Sequence, residues 1–270
     1  MKIELQYFTG TGNSLKVMNV CKQVFIENND TVEISAINKH NTEIGNIDLL
    51  GFCFPVYAFG IPRIANNYLN KLKPFKKLQK VFTLISAGDA DEAGLSINQL
   101  EKILIKKNCE IIYSEVIQMP ANWTPYINPP SKDEVLVNIE QATIHAKQIT
   151  TNILNGVKNY HKFNIPKRFS KFGFYKEYWS FKYLGIKNMW RMFRTYDSCN
   201  GCQLCSKICP TQSIKIVDKK PKWSSSCEQC MRCVNFCPSE AIYQTYGGDT
   251  KGKNRYFEPS FKPLKENKNG

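Results

Sequence analysis

Histidine is scarce in this chain. Three occur in 270 residues, His40, His145 and His161, far apart and in no motif. They read as surface or helix polar residues, not as catalytic bases. No Gly-x-Ser-x-Gly run is present, so a nucleophile of that type is absent. Acids are few against bases, 23 to 37, which leaves a net charge of +14. A long apolar run is missing too. The most apolar stretch, Leu49 to Ile64, is broken by Gly51, Pro55, Gly60 and Pro62 and is too short to span a bilayer. The opening residues, Met-Lys-Ile-Glu-Leu-Gln-Tyr-Phe, place charge inside what would be the apolar region of a secretory leader. A cytoplasmic protein with no membrane span is therefore expected. At 42% hydrophobic the chain can bury a core, and its length suggests about two domains.

Cysteine, by contrast, is plentiful and patterned. Eight of the 11 cysteines fall in two runs. One reads Cys199-Asn-Gly-Cys-Gln-Leu-Cys-Ser-Lys-Ile-Cys-Pro210, the other Cys227-Glu-Gln-Cys-Met-Arg-Cys-Val-Asn-Phe-Cys-Pro238. Both have the spacing C-x2-C-x2-C-x3-C-P. The match continues from Pro210-Thr-Gln-Ser-Ile214 to Pro238-Ser-Glu-Ala-Ile242, so one unit is used twice. Three thiolates so spaced lie on one tight loop and wrap three corners of an iron–sulfur cubane, while the fourth cysteine ligates the other cluster. Cys199, Cys202, Cys205 and Cys237 are thus assigned to one [4Fe–4S] cluster, and Cys227, Cys230, Cys233 and Cys209 to a second. The proline after each fourth cysteine turns the chain away. A zinc ribbon needs only two C-x-x-C pairs and leaves the third and fourth cysteines of each run unexplained. A disulfide framework suits a small secreted chain. Cys21, Cys53 and Cys109 lie in apolar surroundings and read as buried small hydrophobes.

From about Asp197 to Gln244 the chain resembles the bacterial-type dicluster ferredoxins. That resemblance implies a small β-hairpin over the clusters, with Ser213–Asp218 and Pro221–Trp223 as strands and Lys219-Lys220 between them.

The other half alternates strand and helix. Strands are expected at Lys2–Phe8, Thr31–Ala36, Asp48–Phe54, Lys80–Ser86 and Glu110–Gln118. Helices are expected after the first loop to about Glu27, then at about Ile61–Leu72, Glu92–Lys107 and Asp133–Leu154. Such alternation predicts an α/β domain with a doubly wound parallel five-stranded sheet. Ligands in such sheets bind at the carboxyl ends of the strands. Three loops fall there. Thr9-Gly10-Thr11-Gly12-Asn13-Ser14 can turn amides and hydroxyls on a phosphate at a helix N-terminus; an ordinary turn with an Asn or Ser N-cap is the alternative. The second loop, Pro55-Val56-Tyr57-Ala58-Phe59-Gly60, has two aromatics to cover a flat ring. The third begins Ser86-Ala87-Gly88-Asp89.

Over roughly residues 1 to 157 the chain resembles the flavodoxins, chiefly through the Thr-Gly-Thr-Gly-Asn-Ser loop. As a whole it is similar to the flavodoxin–ferredoxin fusion proteins of anaerobic bacteria and archaea, also at Phe54-Pro55-Val56-Tyr57 and Met119-Pro120-Ala121-Asn122-Trp123. The resemblance implies flavin mononucleotide (FMN) on the first loop, with Pro55–Gly60 and Ser86–Asp89 flanking its ring system. The third loop lacks the tyrosine that flavodoxins often stack there. That leaves Tyr57 or Phe59 for one ring face and Trp123 as a candidate for the other.

Residues 158–196 form a basic, aromatic connector. From Lys162 to Arg194 it holds nine bases against Glu177 and the adjoining Asp197, half of the net +14. Packing between the domains, with Phe172, Tyr175 and Trp179 as glue, is the preferred reading. A docking face for an acidic redox partner comes next; a nucleic-acid or membrane surface lacks a supporting motif. The remaining divisions are 1–157 for the flavodoxin-like domain, 197–245 for the small α+β dicluster domain and 246–270 for a C-terminal extension. That extension is expected to lie back over one domain, with a mobile end. The expected function is electron transfer between two [4Fe–4S] clusters and FMN, linking a low-potential donor to a redox partner protein, with no catalytic side chain. A flavin-dependent reductase of a small substrate and a redox-responsive binding module are the alternatives.

Overall fold

The computed structural model of the chain describes residues 1–37, 44–89, 93–161, 165 and 170–264. His40 and the last six residues lie outside them, as does the expectation that the chain end is mobile. The N-terminal half opens with strand β1 (Lys2–Tyr7), helix α1 (Asn13–Glu27) and strand β2 (Thr31–Ala36). Strand β3 (Leu49–Pro55), α2 (Arg63–Lys71), β4 (Gln79–Ala87), α3 (Ser96–Ile105), β5 (Cys109–Gln118) and α4 (Lys132–Leu154) follow. All neighbouring strands pair in parallel. Their order is β2-β1-β3-β4-β5, the doubly wound order whose direction reverses between β1 and β3.

Burial explains the strand sequences. Six of the seven β3 residues are buried, because helices cover both faces of the sheet. Val17, Met18, Cys21 and Phe25 of α1 pack with Ala142, Ala146, Ile149 and Ile153 of α4 on one face. Ala65 and Leu69 of α2 pack with Ile97, Leu100 and Leu104 of α3 on the other. Cys21, Cys53 and Cys109 are buried in these two cores, as expected, and burial pushes the Cys21 thiol up to about 11. His145 and His161 are half-buried helix and edge residues outside the site.

The sheet has six strands, not five. Strand β6 (Asn159–Tyr160) extends it in parallel beside β5. Two residues show no periodicity, so nothing in the sequence distinguishes them from loop. Asn159 Nδ2 anchors the strand, donating to the Ser114 carbonyl at 3.2 Å and to Glu115 at 2.6 Å.

The connector is largely helical: α5 (Lys171–Ser180), a π turn (Phe181–Gly185), the short α6 (Ile186–Asn188) and a 3₁₀ turn (Met189–Met192). Of the three residues expected to pack, Tyr175 joins the contact, partly buried against Phe174, and the other two do not. Phe172 is 79% and Trp179 44% exposed, whereas Phe174 and Tyr178 are buried against Phe59. Phe174 meets the Phe59 ring edge-on at 5.3 Å. Helix phase separates Phe172 from Phe174, since residues two apart on a helix point to nearly opposite sides.

Strand β7 (Phe193–Thr195) already belongs with the C-terminal half, pairing antiparallel with β10 (Ile242–Gln244). Between them lie helix α7 (Leu204–Lys207), strands β8 (Ile214–Val217) and β9 (Lys220–Trp223) and helix α8 (Arg232–Asn235). The expected hairpin is present, with its turn at Asp218-Lys219, one residue earlier than expected. Duplication of sequence is duplication of backbone. Gly201 and Gln229, Gln203 and Met231, and Gln212 and Glu240 are matched positions, and each pair shares a left-handed φ, from 47° to 70°. The tail lies back over both halves, where Tyr256, Glu258 and Phe261 are buried.

The exposure pattern sets a test of the connector. Phe174→Ala should destabilise the protein by about 3 kcal/mol, while Phe172→Ala stays within about 0.5 kcal/mol. Chemical denaturation of the two variants checks this, and equal losses would reject the packing described.

Candidate functional site: two thiol sets against a pocket at the strand ends

Helices α7 and α8 each carry the third cysteine of a run and hold the thiol loops in matched conformations. Cys199, Cys202, Cys205 and Cys237 line one small cavity of about 20 Å³. Cys209 lies near enough to Cys227 and Cys230 to influence both, and Cys233 senses all three. Each fourth cysteine therefore joins the other run's set. Matched backbone donors reach the two crossing sulfurs: Ser213 N–H donates to Cys209 Sγ at 3.3 Å and Ala241 N–H to Cys237 Sγ at 3.4 Å. Hydrogen bonds of this kind set cluster potentials. Among the described residues no three His, Cys, Asp or Glu side chains close on a single ion; the first thiol set surrounds a space instead. Burial pushes the Cys227 thiol up to about 12 and Cys205 and Cys230 up to about 11. Thiolates at such places need a cationic group to hold them, which iron supplies.

The second feature is a cavity of about 240 Å³ at the carboxyl ends of the strands. All three expected loops contribute, through Thr9, Gly10, Thr11 and Asn13, through Pro55, Val56, Tyr57, Ala58 and Phe59, and through Ser86, Ala87 and Gly88. Trp123 lines it from the loop after β5, and Glu177 and Phe181 from the connector. The other expected residues stand behind the wall. Gly60 backs onto Gln99, Ser14 is buried and shares a hydrogen bond with Ser86 at 2.9 Å, and Asp89 is exposed and does not line the cavity. Tyr57 and Gly60 exchange backbone hydrogen bonds around Ala58 and Phe59, whose φ values are 50° and 60°. Strained backbone of this kind gathers at functional loops.

The lining fits a flavin mononucleotide in its chemistry. Helix α1 starts at Gly12 with no side-chain cap and no acid in its first turn, so its amides stay available to an anion. The capping alternative for Asn13 and Ser14 is thereby rejected. Tyr57 Oη and Trp123 Nε1 are buried without a partner. Burial also holds the Tyr57 phenol well above its usual range. Thr9 Oγ1 accepts from Gly12 N–H at 2.9 Å and Thr11 Oγ1 from Asn122 at 2.9 Å.

Both loop glycines answer to close packing by the C-terminal half. A Cβ on Gly10 would run into the Cys230 carbonyl and stand 2.9 Å from the Tyr57 hydroxyl. Gly12, at φ 110°, would place one 2.6 Å from Cβ of Glu258 and 2.7 Å from that of Phe261. The second thiol set therefore shares a wall with the cavity.

Three side chains that sequence reasoning missed fasten this wall. Arg232, 1% exposed, donates through Nε to the Gly10 carbonyl at 2.7 Å and through Nη2 to that of Thr9 at 2.8 Å. Its Nη1 donates to the Ile208 carbonyl at 3.1 Å. Arg63, at the start of α2, donates to the Cys227 carbonyl at 2.7 Å and lies 3.4 Å from Glu228. Asn235 donates to the Asn122 carbonyl and accepts from Thr124 Oγ1, both at 2.9 Å. A signal existed for Arg232 and for Glu228, the partner of Arg63: where the second run has Glu228 and Arg232, the first has Asn200 and Leu204. Charges that enter only one copy of a duplicated unit mark the copy that meets something else.

Residues 191–238 match the family model of the 4Fe-4S dicluster domain. A search of curated proteins found no match. Solved structures similar to the N-terminal half include a flavodoxin from the domain Archaea, at 9% identity and TM-score 0.38, covering 55% of this chain and 99% of that one. Flavodoxin 2 from Bacillus cereus follows at 16% identity and TM-score 0.42, covering 56% and 99%. An NAD(P)H:quinone oxidoreductase from Methanothermobacter marburgensis has 12% identity and TM-score 0.42, covering 57% and 98%. Scores this low say nothing of activity, and the fold rests on the strand order itself. The chain is a flavodoxin-like domain followed by a 4Fe-4S dicluster domain, consistent with the flavodoxin–ferredoxin fusions that it resembles.

Two tests follow from the site. Arg232→Ala should lower stability by about 3 kcal/mol or more, with new proteolytic cleavage between the halves; Arg232→Lys recovers little, because an ammonium lacks the planar fork. Crossed ligation predicts that Cys237→Ser and Cys202→Ser give one shared electron paramagnetic resonance spectrum, and Cys209→Ser and Cys230→Ser another. Pairing of Cys237→Ser with Cys230→Ser would refute the crossing.

Proposed function

We propose that the chain is an electron-transfer iron–sulfur flavoprotein. It passes electrons between two [4Fe–4S] clusters and FMN and links a low-potential donor to a redox partner protein. The shared wall supports this reading most strongly, since Cys230 lies directly against Gly10 and Tyr57 of the cavity. Electron exchange requires close approach, and the Cys230 backbone and the Tyr57 hydroxyl both pack against Gly10 of the loop.

Cys199, Cys202, Cys205 and Cys237 would hold one cluster; Cys227, Cys230, Cys233 and Cys209 the other. The start of α1 and the Thr9–Ser14 loop would hold the phosphate, with Pro55–Gly60, Ser86–Asp89 and Trp123 around the ring system. Clusters supply single electrons at low potential, and a flavin accepts them singly or in pairs. The protein's own part is positioning and burial. Arg232 keeps the loop and the second thiol set in register. The helices of the connector close the cavity from the side, with Phe181 edge-on to Trp123 at 6.4 Å. No helix among the described residues is long and apolar enough to cross a membrane. A cytoplasmic location suits oxidation-sensitive clusters, and no nucleic-acid partner is expected.

Reduction of a small substrate is the second reading. Glu177, half-buried at the cavity wall, gives it some support, since it sets a carboxylate beside the space where a substrate would enter.

Anaerobically purified protein should contain about eight iron and eight sulfide per chain and one FMN, by chemical assay and absorption spectrum. Full clusters without flavin would sink the flavin half of the reading. Steady turnover of a quinone by the loaded protein would favour the reductase.

A further inference from the structure

The β8–β9 hairpin has two features that weaken it. Lys215 on β8 stands directly opposite Lys222 on β9, and both are exposed. Like charges opposed across an antiparallel pair are destabilising. Asp218 is the sole acid in the hairpin. The turn repeats the pattern. Asp218 and Lys219 have φ values of 48° and 59°, the two-residue form that favours Asn-Gly. A lysine in the left-handed region is strained where glycine would sit freely.

The hairpin stands at the outer edge of the first thiol set. The Lys219 carbonyl lies 3.1 Å from where a Cβ on Gly201 would be, inside the cysteine loop. Lys220 Nζ donates to the Cys199 carbonyl at 3.4 Å. Lys219 also lines the cavity of Cys199, Cys202, Cys205 and Cys237. Cys202 is the exposed member of the eight, whereas Cys209, Cys227 and Cys233 are buried. The strained turn lysine, Lys219, thus borders a thiol set whose most exposed member is Cys202, while Lys215 and Lys222 stand on the solvent face of the hairpin, opposite Ile216 and Pro221 that line the cavity.

We propose that this hairpin is the docking surface for an acidic one-electron carrier protein, which meets the chain at the Cys202 edge. The inference rests on the electron-transfer reading above and adds to it the place and charge of the partner. Acidic side chains would relieve the repulsion between Lys215 and Lys222 and draw the carrier in. Val217 is the exposed apolar residue of the hairpin, so its outer face lacks the aromatic anchors that a membrane surface would engage. One electron crosses in the encounter, lost by whichever side is reduced, with no bond made or broken.

The test is calorimetric titration of the cluster-loaded protein with an acidic bacterial ferredoxin, both oxidised, so that binding is read without turnover. Binding should weaken about tenfold or more between about 20 mM and about 300 mM salt. Lys215→Glu/Lys222→Glu should weaken it by a similar factor at low salt, with iron content unchanged. Lys215→Gln/Lys222→Gln should give an intermediate loss. Lys102→Glu/Lys106→Glu, an equal charge change on α3, should leave binding as it was. Equal weakening by both glutamate pairs would reduce the effect to net charge and overturn the proposal, as would absence of binding at low salt. Failure of the electron-transfer reading shows separately, as reduced clusters that never pass electrons to the flavin while ferredoxin still binds.

Discussion

The structure depends on one buried guanidinium. Arg232 sits between the second thiol set and the loop that opens the cavity, and its fork satisfies three backbone carbonyls from two parts of the chain. Taking such a charge out of water is costly unless its donors are matched. Arginine suits the place because its donors lie in a rigid plane. The Phe261 ring lies 5.0 Å from the guanidinium, so the C-terminal extension is tied in as well. Loop, thiol helix and tail thereby meet at a single side chain.

Around that point the chain accepts conformations it would otherwise avoid. Ala58 and Phe59 stand in the left-handed region beside the cavity; Gln203 and Met231 do so inside the two cysteine loops. These residues pay in backbone strain for the placement of a ring or a thiol. Neighbouring groups hold them there. Phe59 is clamped by Phe174 and Tyr178, while Gln229, another left-handed residue, donates to Cys227 Sγ at 3.4 Å and accepts from Gln244 at 2.7 Å. Rigid support of this kind keeps the second thiol set and the cavity packed against each other at Gly10.

Domain organisation follows from the same contacts. The two halves are held by Arg63, Arg232 and Asn235 and by a tail that reaches both. Asn235 shows how complete the fit is. Its amide oxygen accepts from Thr124 Oγ1 and Tyr256 N–H, and its amide nitrogen donates to the carbonyls of Asn122 and Met231. The connector has a narrower part, covering the cavity with Phe181 while leaving Phe172, Tyr183 and Leu184 exposed.

Sequence alone determined the parts whose signal is local. The five long strands were legible from their β-favouring residues and their alternation with helices, β3 most of all because both its faces are covered and it is almost wholly apolar. The cysteine runs were legible because a cubane dictates its own spacing, twice. Loop positions at the strand ends followed from the alternation of elements, and most residues named there do line the cavity. Tertiary structure decided whatever depends on phase or on distant partners. Helix phase chose Phe174 over Phe172, and strand register put the hairpin turn at Asp218-Lys219. A two-residue edge strand, β6, exists only because β5 offers it a partner. The closeness of Cys230 to Gly10 could not be read at all, since 220 positions separate them and only folding brings them together.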